Sequence, residues 1–247
     1  PYHKTDVFLI SSVLSPMLTN LNEQSLIIIE RICWWLHIVG VLAFLNYVPY
    51  SKHFHIFLAF PNVYYSKLKP LTYIPNMDVV TNEVKIAMGL VSDTGSDTEE
   101  IETFGAKDVR DLSWKTLMDA YSCTECGRCT AVCPANLTGK KLSPRKIMMD
   151  TRDRLEELGK ALKASDNQNI ENKSLLRNYI TEEELWACTT CNACSYECPV
   201  NIDPVSIIIE LRRYIFMEES AAPSVLNVMS TNIENNGAPW QYSAADR

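Results

Sequence analysis

The chain has 247 residues, 47% of them hydrophobic, with a formal net charge of −7 and nine cysteines. That length allows one or two domains, and an acidic balance without a basic stripe argues against a nucleic-acid binder. Mean hydropathy is −0.09, which excludes a multi-spanning transporter but conceals one concentrated apolar segment. The sequence shows no start methionine and no cleavable signal peptide, and Pro1 reads as the start of a piece of a longer chain.

Residues 1–23 alternate short apolar runs with polar breaks and read as an extramembrane or interfacial lead-in. Residues 24–66 are expected to form a transmembrane helix with a cytoplasmic extension. From Leu26 to Val48 the chain is almost wholly apolar, interrupted by Glu30, Arg31 and His37. With the interface at Arg31, the clean core Ile32–Val48 has 17 residues, at the short end of what spans a bilayer. The competing reading is a buried helix of a soluble protein. Trp34 and Trp35 at one end, and Tyr47 and Tyr50 at the other, match interfacial aromatic belts. Lys52, Lys67 and Lys69 follow the span, so the positive-inside rule puts its C-terminal side in the cytoplasm, at the inner (cytoplasmic) membrane. The next apolar piece, "HIFLAFPNVYY", is too short to cross back and is expected to continue the same helix as far as Pro61.

Residues 67–104 hold Pro70, Pro75 and the acidic run "SDTGSDTEEIE", and read as a solvated linker. Residues 105–220 read as helical. Ser143 and Pro144 supply an N-cap and a first helical position, and Asp203 and Pro204 repeat the arrangement. Thr181 and Glu184 fit a capping box. Residues 221–247 form a tail. The expected fold class is all-α.

Eight cysteines fall in two copies of C-x2-C-x2-C-x3-C-P: Cys123, Cys126, Cys129 and Cys133, then Cys188, Cys191, Cys194 and Cys198. This is the spacing of two-cluster bacterial ferredoxins. Two-residue gaps let three thiolates converge on one cubane, while the fourth, displaced by three residues and a proline, points to the other cluster. One [4Fe–4S] cluster is therefore expected on Cys123, Cys126, Cys129 and Cys198, and a second on Cys188, Cys191, Cys194 and Cys133. Zinc would leave half the thiols redundant, and disulfides are disfavoured in a reducing cytoplasm. The 53 residues between the motifs, 135–187, carry strong helix signals and suit an α-helical ferredoxin module. No acid–base or nucleophilic constellation accompanies the cysteines. Cys33 reads as a small buried residue.

His37 and His55 lie 18 residues apart, five turns of a continuous helix, so they would share one face about 27 Å apart. One histidine near each membrane surface is what a helix needs to ligate two b haems. The bland alternative is that His37 bonds a neighbouring helix and His55 sits at the headgroups. His53 is about 160° round from His37 and the poorer match, and His3 and His53 are read as non-ligands. Pro49 interrupts the ladder between the two candidates.

With both halves read, "YSCTECGRCTAVCPANLTGKKLSPRKIMMDTR" and "ELWACTTCNACSYECPVNIDPVSIIIELRR" resemble the iron–sulfur subunit of membrane-bound heterodisulfide reductases and their relatives. The approach "FGAKDVRDLSWKTLMDAYSC" and the tail stretch "NIENNGAPW" are similar to that family too. His37 and the run Pro49–His55 resemble the last helix of their cytochrome b subunit, which is akin to the gamma subunit of respiratory nitrate reductase. The resemblance implies the end of a dihaem cytochrome b-type bundle fused to a two-cluster ferredoxin, with His37 and His55 in the haem-ligand positions. It implies a quinone, such as menaquinone, as membrane reductant or oxidant. It also implies partners: membrane subunits or helices supplying the second haem ligands, and a downstream redox protein or CCG-type catalytic module. No cysteine follows Cys198, so no catalytic residue is assigned in this chain. The alternatives are a non-haem ferredoxin adaptor docked to a larger respiratory assembly, or a fragment of a heterodisulfide or 2-hydroxy-acid oxidoreductase.

Overall fold

In the computed structural model, residues 13, 16, 21–90, 103–164 and 172–242 are described. The acidic run and most of the lead-in, with His3, lie outside them. The chain divides into two compact units, Pro1–Phe54 and His55–Arg247.

The first unit is dominated by α1, Glu23–Tyr47. Asn22 caps it, its Oδ1 accepting from Ser25 N at 2.8 Å. None of α1 is buried within the chain, and over Glu23–Tyr50 it is long and apolar enough to cross a membrane. A core helix of a soluble protein would hide its apolar face, whereas here Leu36, Val39, Leu42 and Phe44 are all exposed. α1 ends at Tyr47, and two 3₁₀ turns follow, Val48–Tyr50 and Lys52–Phe54. The expected single continuous helix is therefore broken. Pro49 lacks the N–H that would continue the ladder, and its ring collides with the carbonyl one turn back. Ser51 fastens the turns, donating from Oγ to Val48 O and accepting from His53 N.

The second unit opens with α2, His55–Tyr64, which runs through Pro61 and does not stop there. The stretch expected as linker contains a helix, α3, Asp78–Ala87. The ferredoxin-like part follows as α4 (Trp114–Ser122), the short α5 (Arg128–Ala131) and α6 (Pro134–Leu137), and the long α7 (Pro144–Ala164). Next come α8 (Glu182–Ala187), the short α9 (Ala193–Tyr196), α10 (Pro204–Met217) and α11 (Ser224–Asn236). The described residues form no strand, only one bridge between Leu176 and Ile180. The all-helical character follows from the caps: Thr181 and Glu184 make a complete capping box, and Asp203 accepts from Val205 N and Ser206 N ahead of Pro204.

The core lies between α7 and α10. Ile147, Met148, Thr151, Arg154, Leu158 and Ala161 form the buried stripe of α7, and Ile207, Ile208, Leu211 and Ile215 that of α10. Each fully buried Ile or Leu contributes about 1.5–3 kcal/mol. Gly105 marks the tightest approach. At φ +75° a Cβ there would lie 2.5 Å from Glu210 O, while Ala106 N bonds the same oxygen at 3.1 Å.

Glu184, 5% exposed, accepts from Thr181 N and pairs with Lys146 at 2.9 Å. Burial pushes its pKa up, but the Thr181 bonds and Lys146 outweigh this and hold it below the usual carboxylate range. A depressed carboxylate stabilises fully above its unfolded pKa, about 4.3, and that stability is lost as pH falls through the folded value. Glu184→Gln is therefore expected to lose less stability than the parent between about pH 5 and pH 2, read by urea unfolding of the helical signal.

Candidate functional site

The two cysteine loops are built alike. Cys123 and Cys188 each end a helix, α4 and α8, in the same extended conformation (φ −69° and −72°). Two residues later the backbone turns left-handed, at Glu125 (φ 60°) and Thr190 (φ 55°), and again at Gly127 and Asn192. This double left-handed turn folds the chain back on itself. It aims Thr190 N at Cys188 Sγ, 3.4 Å away, and Glu125 N at Cys123 in the same manner. Gly127 and Asn192 then start α5 and α9, which carry Cys129 and Cys194. Left-handed backbone at Glu125 and Thr190 costs energy, and a thiolate-directed N–H is what it provides.

Two clefts result. The first is lined by Cys123, Cys126, Cys129, Cys194 and Cys198, with Met148, Val200 and Ile202 as apolar wall. The second is lined by Cys133, Cys188, Cys191 and Cys194, with Leu142 and Ile208 behind. Each motif thus sends its last cysteine to the other motif's cleft. α5 packs on α9, and Cys194 borders both clefts, so the two are contiguous. All eight thiols are unpaired by disulfides, as is Cys33, which is exposed on α1 where the sequence suggested burial.

The electrostatics follow the same grouping. Burial pushes Cys123 up to about 11, with Cys129 and Cys198 adding repulsion. Cys194 is pushed up to about 12 by burial. Cys129 and Cys188 are raised for the same reason, with Cys126 and Cys198 beside the former and Cys133 and Cys191 beside the latter. Crowded, desolvated thiols resist ionising by themselves, and a cationic iron core bonded to four of them relieves that cost. Among the described residues no three His, Cys, Asp or Glu side chains gather round a single-ion position. A mononuclear zinc draws its thiolates to about 2.3 Å from one point, whereas a cubane takes each on a separate iron. Soft donors, apolar walls and two open clefts fit [4Fe–4S] clusters.

Positive groups brace the loops. Arg212 donates to Leu185 O and to Cys188 O (2.6 Å) and lies 5.0 Å over the Trp186 ring. Arg152 pairs with Glu125 at 2.6 Å, fixing the first left-handed turn. Sequence reasoning missed both. Arg212 had a signal, since it sits within the apolar stripe of α10 one turn after Ile208.

The histidines lie apart from this centre. His37 is within α1 and exposed, and His55 is the first residue of α2. The break after Tyr47 removes the single-helix phase argument that paired them. His53 Nδ1 meets Ser51 Oγ at 3.4 Å, and its ring stands edge-on to Phe44.

Comparison with known proteins agrees with the cysteine chemistry. A 4Fe-4S dicluster domain matches residues 122–202. The chain is 34% identical over 96% of its length to the probable iron-sulfur-binding oxidoreductase FadF of Bacillus subtilis (strain 168), covering 36% of that protein. It is 30% identical over 92% of its length to the EtfAB:quinone oxidoreductase of Syntrophomonas wolfei, covering 32% of it. A probable membrane-anchored ferredoxin of Chromohalobacter salexigens is 32% identical over 48% of the chain and 20% of its own length. Shorter matches include one of the subunits of the ferredoxin:CoB-CoM heterodisulfide reductase of Methanosarcina mazei. The chain spans about a third of the length of the first two relatives. Residues 122–202 thus carry a 4Fe-4S dicluster domain, and the chain is similar to these iron–sulfur proteins, heterodisulfide reductase subunits among them.

Proposed function

We propose that this chain is the membrane-anchored electron-transfer part of a respiratory oxidoreductase. It passes electrons between the quinone pool, b haems and a redox partner through two [4Fe–4S] clusters. One cluster is held by Cys123, Cys126, Cys129 and Cys198, the other by Cys188, Cys191, Cys194 and Cys133. The observation that carries this reading is the sorting of eight thiols into two contiguous clefts with Cys194 on the border of both. Each bound cluster supplies a one-electron store. The protein's own part is to hold the thiolates, direct the Glu125 and Thr190 N–H groups at sulfur, and line the sites with Met148, Val200, Leu142 and Ile208.

His37 and His55 are the proposed haem b ligands, each opposed by a histidine from a helix outside these 247 residues. Support comes from an intramembrane histidine being costly unless it functions, from the resemblance of the Pro49–His55 run to a cytochrome b helix, and from a relative named for quinone oxidoreduction. The ferredoxin part faces the cytoplasm by the lysine bias after the span. In purified membranes, His37→Ala and His55→Ala are each expected to weaken the reduced-haem absorption band at least twofold. Unchanged bands in both would sink the haem assignment.

The membrane-anchored ferredoxin relative favours a second reading, a haem-free adaptor docked to a larger assembly. Under it the histidine variants leave the spectrum unchanged, while loss of either cluster stops electron flow. Substrate conversion belongs, in both readings, to a partner or to a catalytic module of the CCG type.

A further inference from the structure

Helix α2 is fastened to the cysteine-bearing part by a buried polar knot. Asn62, 0% exposed, donates from Nδ2 to Val200 O at 2.9 Å. Its Oδ1 accepts from Lys115 Nζ at 3.1 Å, and Lys115 in turn pairs with Asp119 at 2.7 Å, their side chains 17% and 4% exposed. α2 packs along α4, whose last residue, Ser122, precedes Cys123. Val200 comes two residues after Cys198. The two segments gripped by α2 thus lead into the same first cleft, although Cys123 and Val200 are 77 positions apart in sequence.

A second tie, Lys67 to Asp203 at 2.5 Å, runs toward Ser195 beside Cys194. Its lysine is 47% exposed, and solvent screening leaves such a pair weak. The Asn62 side chain is fully buried, and losing it leaves the half-buried Val200 carbonyl without its donor. The knot is therefore the tie that fixes geometry.

We infer that Asn62 is a positioning residue for the first cleft. It holds the Cys198–Val200 arm against α2, so that the cluster of Cys123, Cys126, Cys129 and Cys198 is the one coupled to the helix that opens at His55. The inference rests on the cluster assignment proposed above. Dipoles and hydrogen bonds around the sulfurs set a cluster's potential. The Asn62 amide neutralises the negative end of the Val200 carbonyl dipole close to a ligand. Freed, that carbonyl favours the oxidised, more positive cluster.

The test is a redox titration of the full chain in detergent, followed by electron paramagnetic resonance. Cys126→Ser and Cys198→Ser mark the first cluster's signal. In Asn62→Leu, which fills the space but cannot donate, the marked signal is expected at lower potential. The reduced-to-oxidised ratio at fixed potential should change three- to tenfold, about 30–60 mV for one electron, with the other signal unmoved. Asn62→Ser repeats the measurement if leucine is not accommodated. A shift of both signals, of the unmarked one alone, or of neither overturns the inference. If Cys126→Ser and Cys198→Ser alter different signals, the cluster assignment itself fails, and that outcome is recognised before Asn62 is considered.

Discussion

Replacing Cys198 with alanine is expected to abolish the same cluster signal as replacing Cys123, Cys126 or Cys129, and to leave the signal that depends on Cys188 intact. The sequence neighbours of Cys198 argue for the opposite, since it ends the second motif. Its thiol nevertheless lines the first cleft, and Cys133 from the first motif lines the second. Iron content should fall by about half in Cys198→Ala and again in Cys133→Ala, each from a different cluster, because a cubane takes one thiolate per iron. Loss of both signals together in either variant would point to one cooperative site. Retention of the Cys123-dependent signal in Cys198→Ala would refute the interleaved assignment.

Asp108→Ala is expected to destabilise the second unit by about 3–5 kcal/mol, the cost of stranding one member of a buried ion pair. Arg154 is fully buried in the apolar stripe of α7. Its guanidinium grips Asp108 with Nε at 2.9 Å and Nη2 at 2.7 Å, and donates also to Lys173 O at 2.5 Å. The Asp108 carboxylate accepts in addition from Leu175 N at 2.9 Å. Removing it leaves a desolvated cation and an unpaired amide at once. For a unit of this size the midpoint of thermal unfolding should drop by roughly 10 °C, read as loss of helical signal. The double variant Asp108→Ala, Arg154→Met should recover part of the loss, since an apolar pair removes the stranded charge. It cannot recover all, because Leu175 N still lacks its acceptor.

Local signals in the sequence carried a good part of this structure. Caps act over three or four residues, so Ser143–Pro144, Thr181–Glu184 and Asp203–Pro204 announce α7, α8 and α10 correctly. Cysteine spacing is equally local, and it singled out the eight thiols now seen around two clefts. The break after Tyr47 was harder. The apolar character resumes in α2 after the short Ser51–His55 run, and periodicity cannot show how strongly Pro49 distorts the ladder. The helix Asp78–Ala87 was hidden because prolines and an acidic run on either side read as linker. The left-handed residues Glu125 and Thr190 carry no glycine to reveal them. Asn62, Arg154 and Arg212 act through partners 138, 46 and 24–27 positions away in the chain, and no short-range pattern encodes such pairings.

The exchange of the fourth cysteines also fixes a timetable. The first cleft has no closing wall until Cys198 and Val200 have been made, 69 and 71 positions after Cys129. At about 5–20 residues per second, a nascent chain carries three exposed thiols for roughly 3–14 s before a fourth can join them. The second cleft takes its Cys133 early but must wait for Cys188 to Cys194. Neither cleft is therefore fully lined until the second motif is being made. The α7–α10 core likewise waits for Pro204–Met217, so cleft walls and core are completed late in translation. A chain truncated just before Cys198 would carry a complete four-thiol set for the second cleft alone.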